Sequence, residues 1–438
     1  MKTFITFTIY VITGFTTFAQ NTFKNINGRL TLSQAIAIAL ENNLDIKIAK
    51  NNLESSIINN HISVAGGLPE VTASASNNRT LTNLTQEISN GTKIQRNNVA
   101  NNFIGANVTG TYLLYNGMRV QFTKARLDAI QKQNDVLINV QVQNVIADVI
   151  VKYYDIVRQQ DYIKTIKEAL GVTLQRKKII EVKQSVGLAN NADRFQVMLD
   201  STANIQDLIS QQNILDQSKA DLMNLLVRKP DSVYTISDTI FVDTSINIDT
   251  IKHRLYLNPA ILSAEQQTKI NELIVKEIGA QRYPSVIFNG GYSFNRNKNG
   301  AGLTLLNQTT GPFVGVGVNV PIFNGGVIKR QQQVANLNTT NAKNSTEQLL
   351  NTLQTGAVKT YQSYTNSLQQ LKTERENNII AAALLDLVYK RYELGVGTII
   401  DLRTAQQSYL EAGFRLVNLS YAAKVAEIEL KRLASMLP

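Results

Sequence analysis

The chain has 438 residues, with 44 Lys and Arg against 33 Asp and Glu and a formal net charge of +11. Charged residues are only 18% and hydrophobic ones 43%, which excludes a charge-rich disordered chain. Cysteine is absent, which removes disulfides, thiolate metal sites, cysteine nucleophiles and cysteine lipidation together, and two histidines are too few for a multi-histidine centre.

Met1-Lys2 is a short positive start, and Thr3 to Phe18 follows without a charge, rich in Phe, Ile and Val. Thr17-Phe18-Ala19 has the small-x-small form of a cleavage site, so residues 1–19 read as an export signal. Loss of Lys2 takes the net charge from +11 to +10. No later stretch has 18 consecutive apolar residues, so no transmembrane helix is expected. An exported chain without one is either soluble or a β-barrel.

The mature chain reads as an internal duplication. Asn116-Gly117 recurs as Asn324-Gly325, Gly187 and Asp193 recur as Gly395 and Asp401, and Leu222 and Leu225 recur as Leu430 and Leu433, all at an offset of 208. Upstream, Asn43 and Pro69 recur as Asn258 and Pro284 at an offset of 215. The expected domains are residues 20–227 as a first repeat, 228–252 as a linker broken at Pro230-Asp231-Ser232, and 253–438 as a second repeat.

Within the first repeat, Thr31-Leu32-Ser33-Gln34 is a capping box, opening a helix predicted to run to about Ala65. Gly66-Gly67-Leu68-Pro69 ends it. A short strand is predicted after it, then an exposed Asn-rich loop at Asn90–Asn102, then a second strand closed by Asn116-Gly117. A very long helix runs from there to Gly187, and after a tight turn another helix runs from Asp193 to about Leu226. The second repeat predicts a helix from about Leu257 to Gln281 and strands near Ser285–Phe294 and Phe313–Phe323, separated by an exposed loop at Asn295–Thr310. A helix to Leu394, a turn at Gly395 and a helix to Met436 complete it.

The strands alternate. Val314, Val316, Val318, Val320 and Ile322 alternate with Gly315, Gly317 and Asn319; Ala106, Val108, Tyr112 and Leu114 alternate with Gly105, Asn107, Thr109 and Thr111. One apolar and one small polar face over about ten residues is the pattern of a membrane barrel with a wet interior. A soluble sheet packed on helices alternates in the same way. Four strands are too few for a barrel, since about eight is the practical minimum, so several chains pool their strands or the sheet packs on something else. The intervals Gly117–Gly187 and Gly325–Gly395 contain no proline and span 70 residues each, about 105 Å of helix at ~1.5 Å per residue. A stripe through Val142, Val145, Val149, Tyr153, Ile156, Ile163 and Ile166 steps by three, four and seven. Its counterpart runs through Leu350, Leu353, Ala357, Tyr361, Tyr364 and Leu371. This is coiled-coil spacing. A hollow tube built from several copies uses strands, long helices and duplication together.

These features resemble the TolC-like outer-membrane efflux family over nearly the whole mature chain, from about Leu32 to Met436. The motifs are Leu32-Ser33-Gln34-Ala35-Ile36-Ala37-Ile38-Ala39-Leu40-Glu41-Asn42-Asn43, Val320-Pro321-Ile322-Phe323-Asn324-Gly325-Gly326, and Tyr392-Glu393-Leu394-Gly395 leading to Asp401. The resemblance implies a mainly α fold in which four strands per chain join a shared twelve-stranded barrel above an α-helical barrel, in a homotrimer. It implies an exit duct in the outer membrane of a Gram-negative cell, extending into the periplasm. It implies a periplasmic adaptor, an inner-membrane transporter and outer-membrane lipid as partners. On the same basis Val108, Tyr112, Leu114, Val314, Val316, Val318, Val320 and Ile322 face lipid. Tyr112, Tyr115, Tyr292 and Phe294 take the interfacial girdle positions. Val186-Gly187-Leu188 matches the adaptor-docking turn in full, and Leu394-Gly395-Val396 matches it at the glycine, with Val396-Gly397-Thr398 two residues out of register. Asp193, Asp401 and Tyr392 take channel-entrance positions. Gly397 stands where the family's arginine would be, and Thr404 and Gln196 stand where a second aspartate would be. Each aspartate equally reads as a cap or first-turn charge of its helix, and Arg194 and Arg403 lie close enough in sequence to neutralise either arrangement.

No GxSxG, HExxH or Walker pattern is present, so no enzyme and no cofactor is expected. Gly315-Val316-Gly317 lies within a strand and lacks the third glycine of a nucleotide fingerprint. His61 and His253 read as surface or packing residues. Lys and Arg are dispersed, which argues against nucleic acid as a partner, and the positive balance fits anionic lipid headgroups. The other function class compatible with the pattern is a periplasmic coiled-coil scaffold without a pore.

Overall fold

The computed structural model describes residues 28–438; the expected export signal at 1–19 lies outside the described residues. In chain order the elements are β1 (Gly28–Arg29), α1 (Leu32–Asn42), α2 (Leu44–Asn59), β2 (Glu70–Glu87), β3 (Lys93–Asn116), α3 (Arg119–Ser185) and α4 (Asn191–Leu225). β4 (Tyr234–Thr235), α5 (Ile248–Arg254), α6 (Pro259–Ala280), β5 (Ser285–Asn299), β6 (Leu306–Asn319), α7 (Val327–Glu393) and α8 (Ile399–Leu433) follow. The fold is mainly helical. α3 and α7 have 67 residues each and α4 and α8 have 35 each, so the two halves repeat one element order with helices of equal length, while β2 and β3 (18 and 24 residues) are longer than β5 and β6 (15 and 14).

The first predicted helix is broken. α1 opens on the capping box at Thr31, but Asn43 is extended (φ −54°, ψ 132°) and α2 restarts at Leu44. The Asn43 side chain donates to Leu225 O at 3.3 Å, closing the end of α4. Its counterpart Asn258 caps α6 and donates to Leu433 O at 2.8 Å, at the end of α8. The recurring asparagine therefore satisfies an orphan C-terminal carbonyl in each repeat, which is the physical content of that motif.

Contacts divide the chain into two compact units, each drawing on both halves of the sequence. One holds described residues 28–43, 152–240 and 381–417; the other holds 44–151, 241–380 and 418–438. In the first, β1 pairs with β4 in parallel. Tyr153 is buried there, its hydroxyl within reach of Leu30 O (3.0 Å) and Asp238 Oδ2 (2.5 Å). Burial and the Asp238 carboxylate raise its pKa. In the second, the sheet is antiparallel in the order β2-β3-β5-β6. Ala129 of α3 packs there against Ile270 and Leu273 of α6.

One window of α3 is long and apolar enough to pass as a membrane span by composition, against the sequence expectation. Only a third of that window is buried in the single chain; Val145, Val149, Tyr153 and Ile156 of α3 are among the buried residues of the helix, at the coiled-coil spacing. The strands are longer than expected. β3 begins at Lys93, so most of the Asn-rich segment Asn90–Asn102 is ladder rather than loop. The second expected loop likewise shrinks, with β5 continuing to Asn299 and β6 starting at Leu306. Backbone pairing overrides the poor strand propensity of Asn once the neighbouring register is set.

Candidate functional site

In the first unit the ends of α3 and α7 and the starts of α4 and α8 share one core. Ile180, Val197, Leu385, Tyr392, Leu402 and Ala405 are buried together. The turns leave this core through Gly187 (φ +76°) and Gly395 (φ +80°). Leu188 N donates to Lys183 O at 2.7 Å and Val396 N to Arg391 O at 3.0 Å, the long backbone bond that closes a helix through a left-handed residue. A Cβ at either glycine would meet open space, so the demand is on the backbone alone. Gly395→Ala is expected to cost about 1 kcal/mol through the left-handed conformation, read by urea unfolding, with no loss of packing. Val186, Leu188, Leu394 and Val396 are 64–78% exposed, leaving four apolar side chains at the turns without cover in the single chain.

Asp401 is a cap. Thr398 N donates to Asp401 Oδ2 at 3.2 Å and Asp401 N donates to Thr398 Oγ1 at 3.1 Å, a reciprocal box that holds the carboxyl below its ordinary pKa. Asp193 lies in the first turn of α4 and donates its amide to Asn190 Oδ1 at 2.9 Å. Tyr392 is buried, and Lys183 Nζ lies 4.5 Å from its ring centroid. Burial, reinforced by Asp193, raises the Tyr392 phenol, while Arg176 opposes the shift. Asp193 and Tyr392 are thus brought within electrostatic reach. At Gly397, where the resemblance led us to look for an arginine, a Cβ would stand 3.0 Å from Tyr392 N and 3.2 Å from Arg391 C. A side chain there would need the turn backbone to give by a few tenths of an ångström.

Arg403 does not neutralise Asp401 or Asp193; its guanidinium reaches Asp200 at 3.8 Å. Asp200 also accepts from Gln196 Nε2 at 2.9 Å and pairs with Arg176, whose side chain is 1% exposed. Sequence reading missed this buried pair, because nothing in the local pattern distinguishes Arg176 from the exposed lysines beside it. In the second unit, Glu427 is likewise buried. It accepts from Lys431 Nζ at 2.8 Å, Lys424 Nζ at 3.0 Å and Asp243 N at 2.9 Å, and the Tyr364 hydroxyl donates to Asp243 O. His61 bonds Ser63 Oγ at 2.7 Å on the surface and His253 is exposed in α5. Among the described residues no cluster of His, Asp and Glu is arranged to hold a metal ion.

The sheet in the second unit sorts its residues by face. Ladder partners place Ala73, Val108, Tyr292 and Pro312 in one row, Val71, Gly110, Gly290 and Val314 in the next, and Tyr112, Phe288 and Val316 beyond. The other face carries rows such as Ser74, Asn107, Ser293 and Gly311. Val108, Tyr112, Val314, Val316 and Val318 are all exposed on the apolar face. Three expected members of this face differ. Leu114 sits in the bulge between Leu113 and Tyr115, without a ladder partner of its own. Val320 and Ile322 lie past the end of β6, because Pro321 has no N–H to continue the ladder.

Residues 251–435 match the family model described as outer membrane efflux protein. The second half of the chain thus matches the outer-membrane efflux protein family. The outer membrane protein TolC of Vibrio cholerae is 22% identical over 304 residues, 66% of this chain and 67% of that protein. The toxin and drug export protein A of Aggregatibacter actinomycetemcomitans is 20% identical over 294 residues, 65% of this chain and 62% of that one. The solved CmeC outer membrane channel of Campylobacter jejuni superposes with a TM-score of 0.74 at 18% identity, covering 100% of this chain and 94% of its own. The family matched by residues 251–435 is an outer-membrane one, and the fold is that of the solved outer-membrane channels.

Proposed function

We propose that three copies of this efflux protein close one barrel and form the exit duct of a tripartite export machine. The observation that carries the reading is the four-stranded sheet, whose apolar face is exposed and whose outer strands β2 and β6 have no further partner among the described residues. In a bilayer an open sheet edge leaves backbone groups unsatisfied at several kcal/mol each, so the edges must pair. Three copies of four strands make twelve, above the roughly eight needed for closure. The exposed apolar turns Val186-Gly187-Leu188 and Leu394-Gly395-Val396 then offer the surface for a periplasmic adaptor, which an inner-membrane transporter would feed. Asp193 and Asp401, repeated three times, would set a negative potential at the entrance and favour cations, with Tyr392 beneath them. The export role of the curated relatives supports this reading.

Purified protein reconstituted into planar bilayers is expected to give discrete conductance steps and to stay with membranes through a carbonate wash. Release by carbonate together with silent bilayers would instead favour the scaffold without a pore.

A further inference from the structure

Three positive residues of the sheet, Arg79, Arg296 and Lys298, are not where a wet lumen would place them. Arg79 pairs with Asn102, which pairs with Lys298; in the adjacent row Ile104 pairs with Arg296. Those rows share the face of Val108 and Tyr292, and lie just beyond Ala75, Ala106 and Phe294. At ~4.8 Å between strands and ~3.3 Å per residue, the three cations sit within about 12 Å of one another. All three are exposed, and none makes an ion pair among the described residues. The acids of the sheet, Glu70 and Glu87, lie at its ends, and Glu87 is paired with Lys93 at 3.4 Å. The opposite face of the same rows carries Asn, Ser, Thr and Gly, with Phe103.

From Val286 to Phe294 the apolar band runs about 26 Å along the strand, of the order of the ~25 Å band of membrane barrels. The cations therefore stand at its margin. They stand at the margin on the side of the hairpin ends, Lys298 two residues before the hairpin at 300–305, and opposite the end where α2 and α6 enter and α3 and α7 leave the sheet. In the duct reading, on which this inference rests, that end is the outer leaflet. Cations on a lipid-facing surface are costly at mid-band and favoured where they meet anionic headgroups.

We infer that Arg79, Arg296 and Lys298 form a lipid-binding patch for a phosphate-bearing glycolipid of the outer leaflet. Three cations with free guanidinium and ammonium donors, on a face without a carboxylate, match a headgroup carrying two phosphates.

The test is native mass spectrometry of the full-length protein titrated with diphosphoryl lipid A, and separately with phosphatidylglycerol and phosphatidylcholine. Lipid A retention is expected to fall about tenfold or more in R79Q/R296Q/K298Q, with phosphatidylcholine unaffected. A charge-matched control, K47Q/K50Q/K329Q at exposed helical lysines, is expected to bind as the parent does. Equal retention by the triple variant, an equal loss in the control, or equal retention of phosphatidylglycerol and lipid A by the parent would overturn the patch. Bilayer conductance separates the two readings: a silent parent protein removes the duct and the patch with it. A conducting parent whose lipid A binding ignores the three substitutions removes the patch alone.

Discussion

Replacing Asp200 with asparagine is expected to destabilise the unit that carries the helix turns by about 3–5 kcal/mol, because it leaves a buried guanidinium without its counter-charge. Arg176 is 1% exposed and Asp200 16%, and Arg176 Nε and Nη1 have no hydrogen-bond partner of their own. Desolvation of the cation is therefore offset chiefly through the one pairing with Asp200. Gln196 and Arg403 both converge on the same carboxylate, so its loss unties α4 and α8 as well as α3. Urea unfolding of D200N is the measurement. The double variant R176M/D200L is expected to recover most of the loss, since a well-packed apolar pair avoids both desolvation terms. A D200N protein as stable as the parent, or a double variant no better than D200N, would show that the pair is not what holds the turn core.

The second large effect is expected at Glu427. Its carboxylate, 2% exposed, gathers Lys424, Lys431 and the amide of Asp243, and so fastens the segment before α5 to α8. Glu427→Gln keeps the shape and removes the charge, leaving two ammonium groups facing a neutral amide; a loss of about 3 kcal/mol is expected in the same urea assay. Its neighbour Asp243 adds a pH dependence. Hydrogen bonds from the Ser245 hydroxyl (2.6 Å) and amide (3.0 Å), and then Lys431 (3.0 Å), hold the Asp243 carboxyl well below the usual range. A depressed folded pKa contributes stability that is present above the unfolded carboxylate value, about 3.9, and is lost as pH falls through the folded one. Stability should therefore decline on acidification below about pH 4, and Asp243→Asn should flatten that part of the curve. An unchanged acid limb in the asparagine variant would assign the decline to other carboxylates.

Much of this protein was legible in its residues. Hydrophobic periodicity is local: Val145, Val149, Tyr153 and Ile156 announced a buried seam, and Val314, Val316 and Val318 a single apolar strand face, before any partner was known. Duplication made the reading stronger, since one offset aligned Gly187 with Gly395 and Asp193 with Asp401. Two positive-φ glycines then followed where a helix had to reverse. The family resemblance rested on those same elements.

What the residues left open was decided by contacts distant in sequence. Asn43 reads as part of a helix until Leu225 O is set against it. Asp401 reads both as a channel charge and as a helix cap; the Thr398 bonds show the second in the single chain and leave the carboxylate charged for the first. Arg176 and Glu427 look like any surface charge in a helix, because a charge's environment depends on which other helices lie beside it, not on its neighbours along its own. The cations at Arg79, Arg296 and Lys298 are scattered over more than two hundred positions of sequence, and strand register alone puts them on one face. Local periodicity determined which elements form and which side of each is apolar; pairing across long loops, where a shift of one residue reverses every side chain, decided which groups meet.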